Sequence, residues 1–305
     1  MRVLGLCDGH EAGACLAVDG RVIFAASEER YTGRKRQPGF PGRAVHACLE
    51  WSGIAPQDIH AVAVAEKSGR AVHRLLHPIY RHTDPNQPML RPMNLLSASI
   101  QNTIAGQPAL SRWDSAVAHK TMRRKLRRGG IAAPLHFVDH HRAHAISAAF
   151  AAPFSESLVV TMDAFGDGVS ATVSTWSAGM LEEIDRTPVP HSAAILYGRT
   201  TAYLGFSEGD EGKVAAMAAR GDASATVSIF NDWLVFGDGK LTLRVVPTHA
   251  RLRAAFADFS ASDVAAGLQA CVEDHVGACV KYWMRRTGMK KPRAGRRVVR
   301  QRPVE

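Results

Sequence analysis

The stretch that decides the fold of this chain is RVLGLCDGHEAGACLAVDGRVIFAASEER, residues 2–30. It contains three apolar segments, RVLGLCD, AGACLAVD and RVIFAASEER, and the last two meet at the tight turn VDGR. An Asp-Gly pair between two apolar segments is typical of a two-residue β-hairpin turn. The stretch therefore predicts a β-meander of three consecutive strands.

A helix and a fourth strand are predicted to follow the meander. PGRAVHACLEWSGI, residues 41–54, has apolar residues at helical spacing, and IHAVAVAE, residues 59–66, has the pattern of a short strand. A meander, a helix and a strand together form the start of an actin-like or RNase H-like unit. Residues 67–130 lack a strand pattern, so we interpret them as a helical insertion whose basic segment KTMRRKLRRGG is a solvated face.

The strand-turn-strand pattern returns in SLVVTMDAFGDGVSATVSTWSAG, residues 157–179, with GDG at the turn. We interpret it as a second copy of the meander. The predicted fold is therefore α/β, an actin-like ATPase fold of the RNase H-like type, with duplicated lobes and a central cleft. The predicted domains are residues 1–135 for the first lobe with its insertion, residues 136–290 for an incomplete second lobe, and residues 291–305 for a disordered or non-native basic tail.

The net charge of +10 comes mainly from the end of the chain. Residues 285–305 hold nine Lys or Arg and one Glu, whereas the preceding 284 residues carry 29 basic and 27 acidic side chains. The body therefore lacks the basic field of a nucleic-acid binder. The apolar runs are shorter than the roughly 20 residues of a membrane-spanning helix. The five cysteines form no CxxC pair. We expect a cytoplasmic protein with neither a membrane nor a nucleic acid as partner.

VDHHRAHAISAAF, residues 138–150, concentrates polar groups at the head of an apolar helix. His140 and His144 are four residues apart, so a helix projects both imidazoles from one face, as two metal ligands require. Asp163 ends the apolar strand SLVVTMD, and two histidines with a carboxylate are a partial ligand set for Fe(II), Mn(II) or Zn(II). The pattern also fits histidines that bind no metal and an aspartate that only caps its turn.

Two further segments are candidates for binding phosphate. In DGHEAGA, residues 8–14, His10 could bind phosphate, accept a proton or face water as a turn histidine. In GFSEGDEGKVAAMAARG, residues 205–221, Lys213 stands near the start of a predicted helix, which suits a phosphate but also fits a plain loop-to-helix cap. The predicted nucleotide- and phosphate-binding residues are Asp8, Gly166, Gly212 and Lys213.

Three blocks of this sequence resemble, in order and spacing, the signature blocks of the carbamoyltransferase family. They are LGLCDGHEAGACLAVDGRVIFAASEERYTGRKRQPGFP, VDHHRAHAISAAFAAPFSESLVVTMDAFGDG and YGRTTAYLGFSEGDEGKVAAMAARG. The family includes nodulation, aminoglycoside and cephamycin O-carbamoyltransferases. The resemblance implies an actin-like domain similar to the universal tRNA threonylcarbamoyltransferase subunit, followed in complete members by a smaller YrdC-type domain.

The resemblance also implies a reaction and its cofactors. The YrdC-type domain makes carbamoyl-adenylate from ATP and carbamoyl phosphate, and the actin-like domain passes the carbamoyl group to a hydroxyl of a small-molecule acceptor. His140, His144 and Asp163 match metal-ligand positions of an iron-type site, His10 matches the histidine of the first hairpin, and Lys213 matches the block lining the nucleotide cleft. Magnesium is expected with ATP.

The sequence departs from the family after TGMKK, residues 287–291. Family members continue there with a strand, a glycine-rich loop and a further acidic metal ligand, whereas this chain reads PRAGRRVVRQRPVE. We expect a fragment, truncated or frameshifted before the second lobe ends and impaired as an enzyme. Two alternatives to a carbamoyltransferase stay open: a nonenzymatic protein that binds nucleic acid through its tail, and an actin-like small-molecule kinase or ATPase.

Overall fold

The computed structural model describes residues 1–67, 71–76, 100, 104, 107–207, 209–289 and 292–295. The chain divides into two compact units, Met1–His140 and His141–Glu305. Both contain helices and strands, which confirms the predicted mixed α/β class. The division falls at residue 140 instead of the predicted 135, because the strand Leu135–Val138 pairs with the sheet of the first unit.

A five-stranded sheet forms the base of the first unit. Its strands are β1 (Arg2–Cys7), β2 (Gly13–Val18), β3 (Arg21–Ser27), β4 (Ala61–Ala65) and β5 (Leu135–Val138). They lie in the order β3-β2-β1-β4-β5, with β1 to β3 antiparallel and β4 and β5 parallel to β1. The predicted meander and the fourth strand are thus present.

Four α-helices are described in the first unit: α1 (Glu29–Thr32), α2 (Gly42–Ser52), α3 (Ala71–Leu76) and α4 (Pro108–Arg128), with a 3₁₀ helix at Pro56–Asp58. Cys48 of α2 and Leu126 of α4 pack with Leu4, Leu16 and Val62 of the sheet in one core cluster. Helices α3 and α4 fall within the predicted insertion, whose histidines at 77 and 82 lie outside the described residues. The arginines of the basic segment are exposed, as expected for a solvated face.

Glu28 links the meander to helix α2. Its side chain is buried, and its two carboxylate oxygens accept the backbone N–H groups of Arg43 at 3.1 Å and Ala44 at 2.8 Å. These are first-turn N–H groups that have no partner inside the helix. The negative charge also lies at the favourable end of the helix dipole. Glu28 therefore fixes where α2 begins on the sheet.

A second sheet and a separate hairpin form the β-structure of the second unit. The strands are β6 (Glu156–Gly166), β7 (Val169–Ser177), β8 (Met180–Pro188), β9 (Leu234–Gly237), β10 (Lys240–Leu243) and β11 (Pro292–Gly295). The sheet has the order β11-β6-β7-β8, and β9 pairs with β10. Strands β6 to β8 are an antiparallel meander, as predicted, and β11 runs parallel to β6.

Strand β11 corrects part of the predicted tail. Residues 292–295 pair with β6 from Leu158 to Thr161, although the sequence predicted disorder or non-native structure from residue 291 onward. The reason is that β6 has backbone groups available on the side opposite β7, and a parallel ladder satisfies them. The rest of the predicted tail, residues 296–305, lies outside the described residues.

The second unit contains, among its described residues, one long α-helix and five shorter ones. They are α5 (His140–Phe150), α6 (Ala193–Tyr203), α7 (Glu211–Ala218), α8 (Val227–Trp233), α9 (His249–Phe256) and α10 (Ala261–Thr287), with 3₁₀ helices at Val189–His191 and Ala223–Ala225. Leu268 and Cys271 of α10 are fully buried with Leu196, Phe230 and Phe256 in the largest core cluster. The division between the units falls inside the first turn of α5, after His140.

The tight hairpins share one backbone geometry. Asp19-Gly20 joins β2 to β3 with φ values of 47° and 80°, and Asp167-Gly168 joins β6 to β7 with 52° and 83°. Positive φ at both central residues is the type I′ turn, whose twist matches that of antiparallel strands. The Asp-Gly pairs in the sequence therefore predict these hairpins correctly.

Among the described residues, none of the helices is both long and apolar enough to span a membrane. The longest, α10, is rich in polar residues along its 27 positions. The five cysteines are all free thiols, and Cys48, Cys271 and Cys279 are buried. Burial raises the pKa of the Cys271 thiol to about 12, so it stays protonated at neutral pH.

We predict that Gly267→Ala destabilises the second unit. A Cβ at this position of α10 would stand 2.1 Å from Thr226 Oγ1 and 2.8 Å from the backbone nitrogen of Val227. Overpacking of this kind lowers the free energy of unfolding by about 1–3 kcal/mol. Gly277→Ala, in the same helix, is the matched control. Its Cβ would meet nothing within 4 Å, so helix propensity should stabilise the protein by about 1 kcal/mol. Equal denaturation midpoints for the two variants would contradict the predicted packing.

Candidate metal centre

Helix α5 presents two histidines to a carboxylate on β6. His140 and His144 are four residues apart on α5, and the ligand atoms of His140, His144 and Asp163 all lie within 4.8 Å of one another. His144 Nε2 is 3.7 Å from Asp163 Oδ2. All three residues are half-buried. The structure therefore brings together the three residues predicted as metal ligands.

Asp163 lies within β6 and not at its end, where the sequence placed it. Pairing between β6 and β7 is regular up to Met162 and resumes only at Gly166, so Asp163 falls in an irregular, bulge-like part of the strand. Asp163 follows Val159 and Thr161 at intervals of two along β6, and both of those residues contact α5, so strand alternation places Asp163 on the same face.

Two hydrogen bonds hold Asp163 in place. Its Oδ1 accepts the backbone N–H of Ala164 at 2.7 Å, and its carbonyl oxygen accepts the Ser192 hydroxyl at 2.9 Å. Ser192 is itself buried and caps α6 by accepting the N–H of Ile195. With Oδ1 engaged, Oδ2 is the oxygen on the side of His144. The carboxylate is thus oriented by the end of β6 and the start of α6.

The dimensions of this cluster fit a transition-metal ion. Metal bonds to imidazole nitrogen and carboxylate oxygen are about 2.0–2.2 Å long, so two ligand atoms of one ion lie about 3–4 Å apart. The 3.7 Å between His144 and Asp163 is already in that range, and the 4.8 Å limit of the cluster needs only a small side-chain rotation. Two imidazoles and one carboxylate suit Fe(II), Mn(II) or Zn(II).

The histidine between the two candidate ligands has a different environment. His141 is completely buried. Its Nδ1 is 2.7 Å from Thr161 Oγ1, and its Nε2 is 3.0 Å from the carbonyl oxygen of Val169. Thr161 is on β6 and Val169 on β7, so His141 connects the first turn of α5 to two strands. Nothing in the sequence marked Thr161 or Ser192 for these contacts.

In the first unit, Asp8 is part of a buried ion-pair cluster. Asp8 follows β1, and its two carboxylate oxygens face the guanidinium of Arg74 on α3, with Nη2 to Oδ1 at 2.8 Å. Arg74 Nη2 also lies 3.3 Å from Glu66 Oε2. Both carboxylate side chains are buried. The nucleotide-binding role predicted for Asp8 stays a prediction, and Arg74 and Glu66 are partners that the sequence did not indicate.

Arg74 forms ion pairs with both of these carboxylates. His119 lines the same small cavity as Asp8, Glu66 and Arg74, and its ring stacks on Phe137 at 3.5 Å between centroids. Burial lowers the pKa of His119, so its ring is neutral at physiological pH. Two buried carboxylates therefore share the guanidinium of Arg74.

Four further residues were predicted from the sequence to belong to the site. His10 is exposed in the loop after β1, and Gly166 ends β6 opposite Val169. Lys213, in the first turn of α7, forms an ion pair with Asp210 at 3.1 Å. A Cβ at Gly212 would meet nothing within 4 Å, so packing does not require glycine there. The phosphate-binding roles of these residues stay predictions.

Comparison with known proteins places these residues in a family. A model of the family described as "Carbamoyltransferase N-terminus" matches residues 2–291. The nodulation protein NolNO of Sinorhizobium fredii (strain NBRC 101917 / NGR234) is 28% identical over 291 residues, which cover 92% of this chain and 39% of that protein. The uncharacterized protein sll1178 of Synechocystis sp. is 28% identical over 247 residues, covering 77% of this chain and 37% of that protein. The chain thus spans less than half the length of both relatives.

The solved structures give a weaker likeness. HypF of T. kodakarensis aligns with 95% of this chain and 41% of its own, at 13% identity and a TM-score of 0.45. That score is too low to establish a shared fold.

We predict that Arg74→Met lowers the free energy of unfolding by about 3 kcal/mol, because it removes the guanidinium that pairs with two buried carboxylates. Chemical denaturation measures the change. Arg128→Met, an exposed arginine at the end of α4, is the control and should change stability by less than about 0.5 kcal/mol. The double variant Asp8→Asn, Arg74→Met should lose less free energy of unfolding than the sum of the losses in the two single variants. Additive losses would mean that the ion pair contributes nothing.

Proposed function

Because the chain belongs to the carbamoyltransferase N-terminus family, we propose that it is the acceptor-side domain of a cytoplasmic O-carbamoyltransferase. It transfers a carbamoyl group from carbamoyl-adenylate to a hydroxyl of a small molecule, such as a sugar or a secondary metabolite. The observation that carries the proposal is the match over residues 2–291 together with the cluster of His140, His144 and Asp163. The carbamoyl-adenylate comes from ATP and carbamoyl phosphate on a YrdC-type domain.

We further propose that the two units are duplicated actin-like lobes of a nucleotide-binding fold. In each sheet a three-stranded antiparallel meander is extended by a strand parallel to its first strand, β4 beside β1 and β11 beside β6. The same strand order in both sheets supports a duplication. Gly212 and Lys213 would meet the nucleotide phosphates, since Gly212 has open space and Lys213 is mostly exposed.

His140, His144 and Asp163 would hold the divalent metal, with iron as the proposed ion and magnesium accompanying ATP. When bound, the metal would act as a Lewis acid that polarises a carbonyl group. The chain contributes the fixed ligand geometry, because α5 sets the spacing of the histidines and the bonds from Ala164 and Ser192 orient Asp163. A half-buried site of this kind leaves room for a further ligand.

His10 is the proposed proton acceptor. The acceptor oxygen forms a bond to the carbamoyl carbon, the bond from that carbon to the adenylate phosphate oxygen breaks, and AMP leaves. The hydroxyl proton passes to His10, an exposed residue in the loop after β1. An imidazole titrates near neutral pH, so it can take this proton and release it to solvent afterwards.

The metal proposal predicts that the 305-residue chain, loaded with Fe(II) in the absence of oxygen, retains about one ion per chain after desalting. His144→Ala and Asp163→Ala should each reduce the retained iron at least about tenfold, since each removes one of three protein ligands. His46→Ala is the control, because His46 is an exposed histidine on α2 that is not part of the cluster, and it should retain the ion. Equal retention by all variants, measured by plasma mass spectrometry, would place the ion elsewhere.

The reaction itself is tested by supplying a YrdC-type domain in trans with ATP, carbamoyl phosphate labelled at the carbamoyl carbon, and a panel of sugar and aminoglycoside acceptors. Label is expected in the acceptor only when ATP is present. His10→Asn should slow transfer about 100-fold, while His46→Asn should not. Transfer of the ATP γ-phosphate to the acceptor, without carbamoyl transfer, would instead support a small-molecule kinase.

A further inference from the structure

We infer that His141 is a positioning residue of the metal centre. It fixes the position of helix α5 along strands β6 and β7. The inference rests on the proposed metal site. His141 does not belong to the ligand cluster, since it points into the second unit and is fully buried. Its two hydrogen bonds reach the strand that carries Asp163 and the neighbouring strand.

The apolar contacts of α5 do not by themselves fix the position of the helix along β6 and β7. Ala145 and Ala149 follow His141 at intervals of four residues, and both are buried against Val159 of β6. Alanines allow a helix to approach a sheet closely, but their contacts are not directional. Hydrogen bonds have a fixed length and direction. His141 is therefore the residue that sets the position of the helix along the strand.

The hydrogen-bond network determines which nitrogen of the His141 ring carries the proton. The carbonyl oxygen of Val169 only accepts, so His141 Nε2 carries the proton. In the neutral ring Nδ1 accepts the Thr161 hydroxyl, and Thr161 Oγ1, with its own proton engaged, accepts the hydroxyl of Thr172 at 2.7 Å. All of these groups are buried. The helix is thus joined to the sheet by a chain of directed hydrogen bonds.

Thr161 connects this network to the metal cluster. It lies on β6 two residues before Asp163, and His141 lies on α5 between His140 and His144. The bond between His141 and Thr161 therefore sets the separation between the histidine ligands and the carboxylate. A shift of the helix along the strand would change the distances to Asp163 while leaving all three ligands present.

The test is a titration of the 305-residue chain with Co²⁺, followed by its visible ligand-field absorption, which depends on coordination geometry. His141→Leu should weaken Co²⁺ binding about 10–100-fold, the range for groups that orient metal ligands. His141→Gln should recover part of the loss, because its amide can still donate to the carbonyl of Val169. Thermal unfolding without metal is measured in parallel.

Thr161→Val provides the test that does not depend on a disruptive core change. The two side chains have the same shape, so only the hydroxyl is lost. Thr226→Val is the matched control, since Thr226 is equally buried in the same unit and donates to the carbonyl of Asp263 at 2.8 Å. Thr161→Val should weaken Co²⁺ binding and change the absorption spectrum, whereas Thr226→Val should lower thermal stability alone.

The outcomes separate this inference from the metal proposal. No Co²⁺ binding by the unaltered chain would refute the metal site itself. Normal binding by that chain, with affinity unchanged in Thr161→Val and His141→Gln, would refute the positioning role while leaving the metal site intact. Equal losses of affinity in Thr161→Val and Thr226→Val would also refute it, because the effect would then follow from general stability.

Discussion

The hydrogen bonds of the buried His141 ring attach helix α5 to strands β6 and β7, and the candidate metal centre depends on that attachment. A polar ring without contact to water has to be satisfied inside the protein. Thr161 and Val169 satisfy it, and in doing so they fix the first turn of the helix. The polar head of this apolar helix therefore has two functions: one histidine attaches the helix to the sheet, and its neighbours His140 and His144 are the proposed metal ligands.

Features determined by neighbouring residues could be predicted from the sequence. The Asp-Gly pair at 19–20 fixes a type I′ turn because few other residues adopt positive φ there, and the meander follows from it. The spacing of His140 and His144 places both on one face of any helix, whatever surrounds it. The mixed α/β class, the two meanders and the clustering of the ligand residues are of this kind.

Features that depend on distant residues could not be predicted. Asp8 and Arg74 are 66 positions apart, and nothing near either residue identifies its partner. The break in pairing between β6 and β7 after Met162 depends on tertiary structure, and a strand pattern does not reveal it. Strand β11 has a basic and proline-containing sequence that predicts a tail, yet the open side of β6 provides a ladder for its backbone. In each case a tertiary contact overrides the local preference.

Each of the two sheets has an aspartate near the end of the first strand of its meander, but the side chains around the two aspartates differ. Asp8 follows β1 and Asp163 lies near the end of β6, and each strand is the first of a three-stranded meander. Asp8 faces a guanidinium, which is always charged and has no lone pair for a metal, so this carboxylate is neutralised by the protein itself. Asp163 faces imidazoles, whose neutral form offers lone pairs. Of these two sites, only the one on β6 and α5 therefore has the donor set that a metal ion requires.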